Sequence, residues 1–165
     1  MNGPGGARIT ELFRALGPKL RLYARQWVDA AKADDVVQEV FVRLLSSGKV
    51  PAEPRTWLYR CVRNAAIGAS RSTRRRASRE QSVAADEWFI PRPEDRIDAR
   101  AAREAMQQLP EQQREIVTLR IWGGLTLAEI RDVTGLPTST IHDQFRAALA
   151  TIRDRLEKSC PKNRR

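Results

Sequence analysis

At 165 residues, 41% apolar and 30% charged, the chain is long enough for one ordinary domain or two small ones and has the composition of a folded soluble protein. Thirty basic residues against twenty acidic ones give a net charge of +10, which points to an anionic partner, nucleic acid ahead of a membrane surface. Two distant cysteines, Cys61 and Cys160, and one histidine, His142, leave little means for a disulfide framework, a metal site or histidine-based catalysis, so no metal, cofactor or catalytic residue is expected.

No run approaches the roughly 18 apolar residues of a spanning helix, and MNGPGGAR lacks the apolar core of a signal peptide. A cytoplasmic protein is expected. Helical spacing begins at once, with Leu12, Phe13 and Leu16, then Leu20, Tyr23 and Trp27. Gly17 and Pro18 interrupt it, which predicts a break with Pro18 in the first turn of a second helix. The run DDVVQEVFVRLL places Val36, Val37, Val40, Phe41, Leu44 and Leu45 on one apolar stripe and Asp35, Gln38, Glu39 and Arg43 on the opposite face. Asp34 and Asp35 read as helix cap and first-turn carboxylates, favoured there by the helix dipole, rather than as a catalytic pair.

SSGKVPAEPRTWLYRCVRNAAI follows as a polar loop with two prolines and a helix whose apolar side is Trp57, Leu58, Cys61, Val62 and Ala65. Basic and aromatic residues interleave here as Arg55, Trp57, Tyr59, Arg60, Arg63 and Asn64. Rings stack on unpaired bases while guanidinium groups neutralise phosphate, so this stretch is a candidate single-strand surface. Trp57 and Tyr59 can equally be core residues. The eight arginines from Arg55 to Arg79, among them Arg71, Arg74, Arg75 and Arg76, face no acidic residue in that span, so the grip on phosphate is expected in this half.

SREQSVAADEWFIPRPEDR mixes small, polar and acidic residues with two prolines and reads as a linker. Trp88, Phe89 and Ile90 within it either dock on a domain or partner or make a satellite core contact. Beyond it, Ala105 to Lys158 carries seven basic and seven acidic residues. Ala101 to Leu109 forms a helix, Pro110 fits the first turn of another, and Ile116, Val117, Leu119, Ile121 and Trp122 continue with apolar spacing until Gly123 and Gly124. Thr126 can cap a short helix with Leu127, Ile130 and Val133 inward. Gly135 permits a tight break. Thr138 can cap the last helix, whose stripe is Ile141, Phe145, Leu149, Ile152 and Leu156. That stripe leaves Ser139, Thr140, His142, Asp143 and Arg146, with Thr138, as candidates for a major groove. His142 either reads a base edge or is an ordinary solvated residue.

DDVVQEVFVRLL followed by RTWLYRCVRN resembles region 2 of the sigma-70 family of bacterial RNA polymerase initiation factors, in its compact extracytoplasmic-function form. LPEQQREIVTLRIWGGLTLAEIRDVTGLPTSTIHDQF resembles that family's region 4. The resemblance covers about residues 9 to 80 and 100 to 157. It implies an all-α protein of two small helical domains, 9–80 and 100–158, joined by a flexible linker, 81–99. It implies a non-enzymatic initiation factor that binds core RNA polymerase at the clamp coiled coil and the flap, and promoter DNA, with an anti-sigma factor as a candidate further partner. Asp35, Gln38, Glu39 and Arg43 match the clamp-binding face. The helix from Trp57 to Asn64, with Arg55 and the loop before it, matches the reader of the melted −10 strand, and the arginines from Arg71 to Arg76 would follow phosphates nearby. Thr138, Ser139, Thr140, His142, Asp143 and Arg146 match the −35 reader. A neutral −35 reader is tolerable when polymerase holds it at high effective concentration. The competing reading is a stand-alone helix-turn-helix regulator, which would need a dimer interface or a ligand-sensing domain. An enzyme acting on nucleic acid would need clustered acids, a phosphate-cradling glycine loop or a catalytic histidine arrangement.

Overall fold

The computed structural model describes residues 4–77 and 96–159. They are helical, without strands, and form two compact units, one mainly from each stretch. No helix among them is long and apolar enough to cross a membrane. Trp88, Phe89 and Ile90, with most of the expected linker, lie outside the described residues.

The first unit is three packed helices, α1 (Pro4–Ala24), α2 (Ala30–Ser47) and α3 (Pro54–Ala77). The break expected at Gly17 and Pro18 is absent, and α1 runs through Pro18 without interruption. Pro18 removes one N–H that would have bonded the carbonyl of Arg14, and both residues face solvent, where water can take that carbonyl. On the inner side, Ile9, Leu20, Tyr23 and Ala24 are buried.

Helix α2 starts earlier than its two aspartates suggest. Asp29 is the cap, its Oδ1 accepting from the Lys32 N–H at 2.8 Å, so Asp34 and Asp35 lie beyond the first turn. Asp34 serves instead in an ion pair with Arg21 of α1, 2.8 Å from Nε to Oδ1, whose N–H is not aimed along the contact. The Arg21 guanidinium also lies over the Phe13 ring, 5.5 Å from its centroid. Val36, Val37, Val40, Phe41 and Leu44 are buried as expected, whereas Leu45 is not. Each residue turns about 100° from the last, which carries Leu45 off the stripe and into solvent. Gly48, in the left-handed conformation at φ 64°, ends the helix and donates to the Leu45 carbonyl at 3.2 Å.

Edge-on ring contacts fasten the three helices. Phe13 meets Phe41 at 5.0 Å between centroids, and Tyr23 meets both Trp27 at 5.1 Å and Tyr59 at 5.3 Å.

The second unit comprises α4 (Arg96–Gln107), α5 (Glu111–Val117), a π-helical segment (Thr118–Trp122), α6 (Leu127–Thr134) and α7 (Thr138–Ser159). Helix α4 thus begins inside the stretch expected as linker. Its partner α7 also packs on α5. The π segment sets Ile121 at 52% exposure, off the apolar stripe that an uninterrupted α-helix would have continued. Arg120 donates to the Leu125 carbonyl at 2.8 Å and so closes the loop after it. Thr126 and Glu129 then cap α6 reciprocally, the Thr126 N–H donating to Glu129 Oε2 at 2.7 Å and the Glu129 N–H to Thr126 Oγ1 at 3.2 Å. Gly135 at φ 77° makes the break before α7. Helix α7 opens with the Pro137 carbonyl accepting from Ile141 at 3.0 Å, so Thr138 is its first residue rather than its cap. Its inner stripe is shallower than expected: Ile141 and Ala148 are buried, while Phe145, Leu149, Ile152 and Leu156 are half-buried.

Candidate nucleic-acid interface

The amphipathic pattern of α2 turns Asp35, Gln38, Glu39 and Arg43 to solvent. Glu39 and Arg43, one turn apart, are ion-paired. Val42, 58% exposed, sits among them, opposite the buried stripe, and Leu45 adjoins it at 53%. Sequence reading named neither as part of this face. Helical phase alone places Val42 there, since it is two residues from both Val40 and Leu44.

On α3, Trp57, Arg60, Asn64 and Arg71 recur at spacings of three, four and seven and share one outer stripe, with Trp57 half-exposed and the other three exposed. Tyr59 is on the opposite side. It is 1% exposed and packs on Tyr23, so its ring cannot stack on a base, and its assignment to a DNA-reading surface is corrected to core. Burial pushes its hydroxyl pKa up to about 12, a rise that the Arg55 charge partly offsets. Arg55 and Arg63 are half-buried on the flanks. The side chains of Arg74, Arg75 and Arg76 lie outside those described.

Helices α2 and α3 enclose a cleft of about 510 Å³. Lys32, Glu39 and Arg43 line it from α2, and Cys61 and Asn64 from α3. The polar face of one helix and the outer stripe of the next therefore meet at one opening. Cys61 is held in its thiol form by burial, against the opposing pull of Arg60 and Arg43.

On α7, Ser139, His142, Asp143 and Arg146 form one exposed stripe opposite Ile141 and Ala148. Thr138 is exposed at the helix start, and Thr140 is half-buried on the flank. His142 Nδ1 lies 3.5 Å from Asp143 Oδ1. Among the described residues no group of three or more His, Cys, Asp or Glu side chains is placed to hold a metal ion.

Residues 12–76 match the model of sigma-70 region 2, and residues 99–152 that of sigma-70 region 4. The chain is similar to the RNA polymerase sigma factor SigV of Bacillus subtilis, 30% identical over 128 residues covering 75% of each chain. It is similar to the RNA polymerase sigma-H factor of Pseudomonas aeruginosa, 34% identical over 146 residues, 78% of this chain and 75% of that one. The ECF RNA polymerase sigma factor RpoE of Cereibacter sphaeroides is 29% identical over 164 residues, 91% and 87% of the two chains. In fold, the chain is similar to the sigma factor RpoE crystallised with the anti-sigma factor NepR from Bartonella quintana, with a TM-score of 0.69 at 22% identity over 94% of this chain and 98% of that one. CnrH in complex with the cytosolic domain of CnrY gives 0.66 at 20% identity, over 95% and 92%. Two regions of one family, in order along a single chain, disfavour a stand-alone helix-turn-helix regulator. The chain belongs to the sigma-70 family of RNA polymerase sigma factors, transcription initiation factors, in its extracytoplasmic-function form.

Proposed function

We propose that the first unit holds core RNA polymerase at the clamp coiled coil through Asp35, Gln38, Glu39 and Arg43 of α2, with Val42 as an apolar contact at the centre. Trp57, Arg60, Asn64 and Arg71 of α3 read the melted −10 strand, Trp57 by stacking and the arginines by meeting phosphate. The second unit contacts the flap and reads the −35 duplex through α7. The factor carries no chemistry of its own and works in the cytoplasm, where core polymerase and promoter DNA are its partners. An anti-sigma factor that covers these faces is the further partner proposed.

The shared cleft carries this reading, because it brings Glu39 and Arg43 within one opening with Asn64. Polymerase seated on α2 would then lie beside the melted strand. The test is promoter-directed transcription with core enzyme, using Glu39→Lys and Asn64→Ala. Glu39→Lys should weaken core binding, whereas Asn64→Ala should leave core binding intact, lower open-complex formation and relax preference at one −10 position. Unchanged core affinity for the first variant, or altered −35 preference for the second, would mean that the faces are assigned wrongly.

A further inference from the structure

We infer that Asp143 makes this factor require a cytosine in the −35 element, recognised through its exocyclic amino group in the major groove. The inference rests on the assignment of α7 to the −35 duplex made above. Asp143 stands within the exposed stripe of Ser139, His142 and Arg146, with its side chain 80% exposed. A carboxylate there is repelled by every phosphate, so whatever it gains from DNA comes from a base edge.

The major groove offers a carboxylate two kinds of amino donor, on cytosine and on adenine. In an adenine–thymine pair the amino group lies between adenine N7 and thymine O4, and both acceptors repel a carboxylate. In a cytosine–guanine pair one flank of the amino group is the C5–H edge of cytosine, which carries no lone pair. Cytosine is therefore the favoured partner. Two neighbours support this use of Asp143. The contact with His142 at 3.5 Å engages Oδ1 and restrains the carboxylate. Gln144, of the residue type that pairs with adenine, is bound instead to Gln113 of α5 and is part-buried.

The experiment is a promoter library randomised across the −35 element and transcribed by core polymerase carrying the wild-type factor, Asp143→Asn or Asp143→Ala. The wild type should prefer cytosine at one position on one strand by roughly tenfold. Asp143→Asn should transfer that preference to adenine, because an amide accepts from N6 and donates to N7. Asp143→Ala should flatten it. A wild-type −35 preference in which neither variant alters a cytosine position overturns this inference and leaves the −35 assignment standing. A library with no −35 preference at all overturns the −35 assignment, and the inference with it.

Discussion

Gln113 of α5 donates through Nε2 to Oε1 of Gln144 on α7 at 3.0 Å, joining residues 31 positions apart. The bond crosses between the two helices beside the exposed stripe of α7, and it fixes the rotation of α7 about its own axis. Gln113→Ala should cost about 0.5–1.5 kcal/mol of stability, the worth of one ordinary hydrogen bond. It should also blur −35 discrimination without removing any group from the DNA. Urea unfolding and the randomised −35 library measure the two effects, and full discrimination at reduced stability would show that α7 keeps its orientation without this bond.

Tyr59 buries its hydroxyl with no hydrogen-bond partner among the described residues. Tyr59→Phe keeps the ring contact with Tyr23 and deletes the unpaired group, so stability should rise by about 1 kcal/mol. The pH dependence has a definite sign. An unfolded tyrosine ionises near 10.0 and folded Tyr59 at about 12, so between these values the unfolded chain has lost a proton that the folded chain still holds. Stability should fall as pH rises through that window, and less steeply in Tyr59→Phe. Equal slopes for the two proteins would place the tyrosine in water.

Phe41 and Val42 are neighbours in sequence and opposites in exposure. Phe41→Ala should cost about 3–5 kcal/mol through the cavity left against Phe13. Val42→Ser should change stability by no more than about 0.5 kcal/mol and yet weaken the complex with core polymerase. Thermal unfolding paired with a binding titration separates them. Unaltered core affinity in Val42→Ser would remove the apolar contact from the clamp-binding face.

Two glycines should respond oppositely to alanine. At Gly68, inside α3, an added Cβ meets nothing within 4 Å, so Gly68→Ala should stabilise by about 0.5–1 kcal/mol. At Gly123 it would fall 2.5 Å from the Leu119 carbonyl oxygen and 2.9 Å from Leu125 Cδ1. Gly123→Ala must therefore displace backbone, and should lower stability by about 1–3 kcal/mol. Denaturant midpoints of the two variants moving in the same direction would contradict this assignment of space.

Apolar spacing in the sequence was enough to identify α2, α3 and the pair α6 and α7, because each carries a stripe with the period of a helix. It also separated the exposed residues of α2 from the core. Aromatic residues were harder to place. Trp57 and Tyr59 differ by two positions, so they lie on opposite sides of α3, but nothing in their chemistry says which side is covered. That depended on Tyr23 arriving from α1. The helix starts were misread for a related reason: Asp29, Asp34 and Asp35 are all cap-forming types, and only the backbone shows which of them ends the non-helical chain. Pro18 was read as a break because the argument ignored that a solvent-facing carbonyl can lose its bond to water at modest cost.

The π-helical segment at Thr118–Trp122 has a consequence for chain length. It absorbs one residue more per turn than an α-helix, so the direction in which the chain leaves toward α6 depends on the exact number of residues there. Deleting one residue to restore regular winding would rotate everything after it by about 100° and shift it by about 1.5 Å along the axis. Gly123 would then no longer arrive beneath Leu125, nor Arg120 at the Leu125 carbonyl. Substitutions in this stretch can be absorbed one side chain at a time, but insertions and deletions cannot, and the segment acts as a fixed spacer whose count sets the heading of the reading helix.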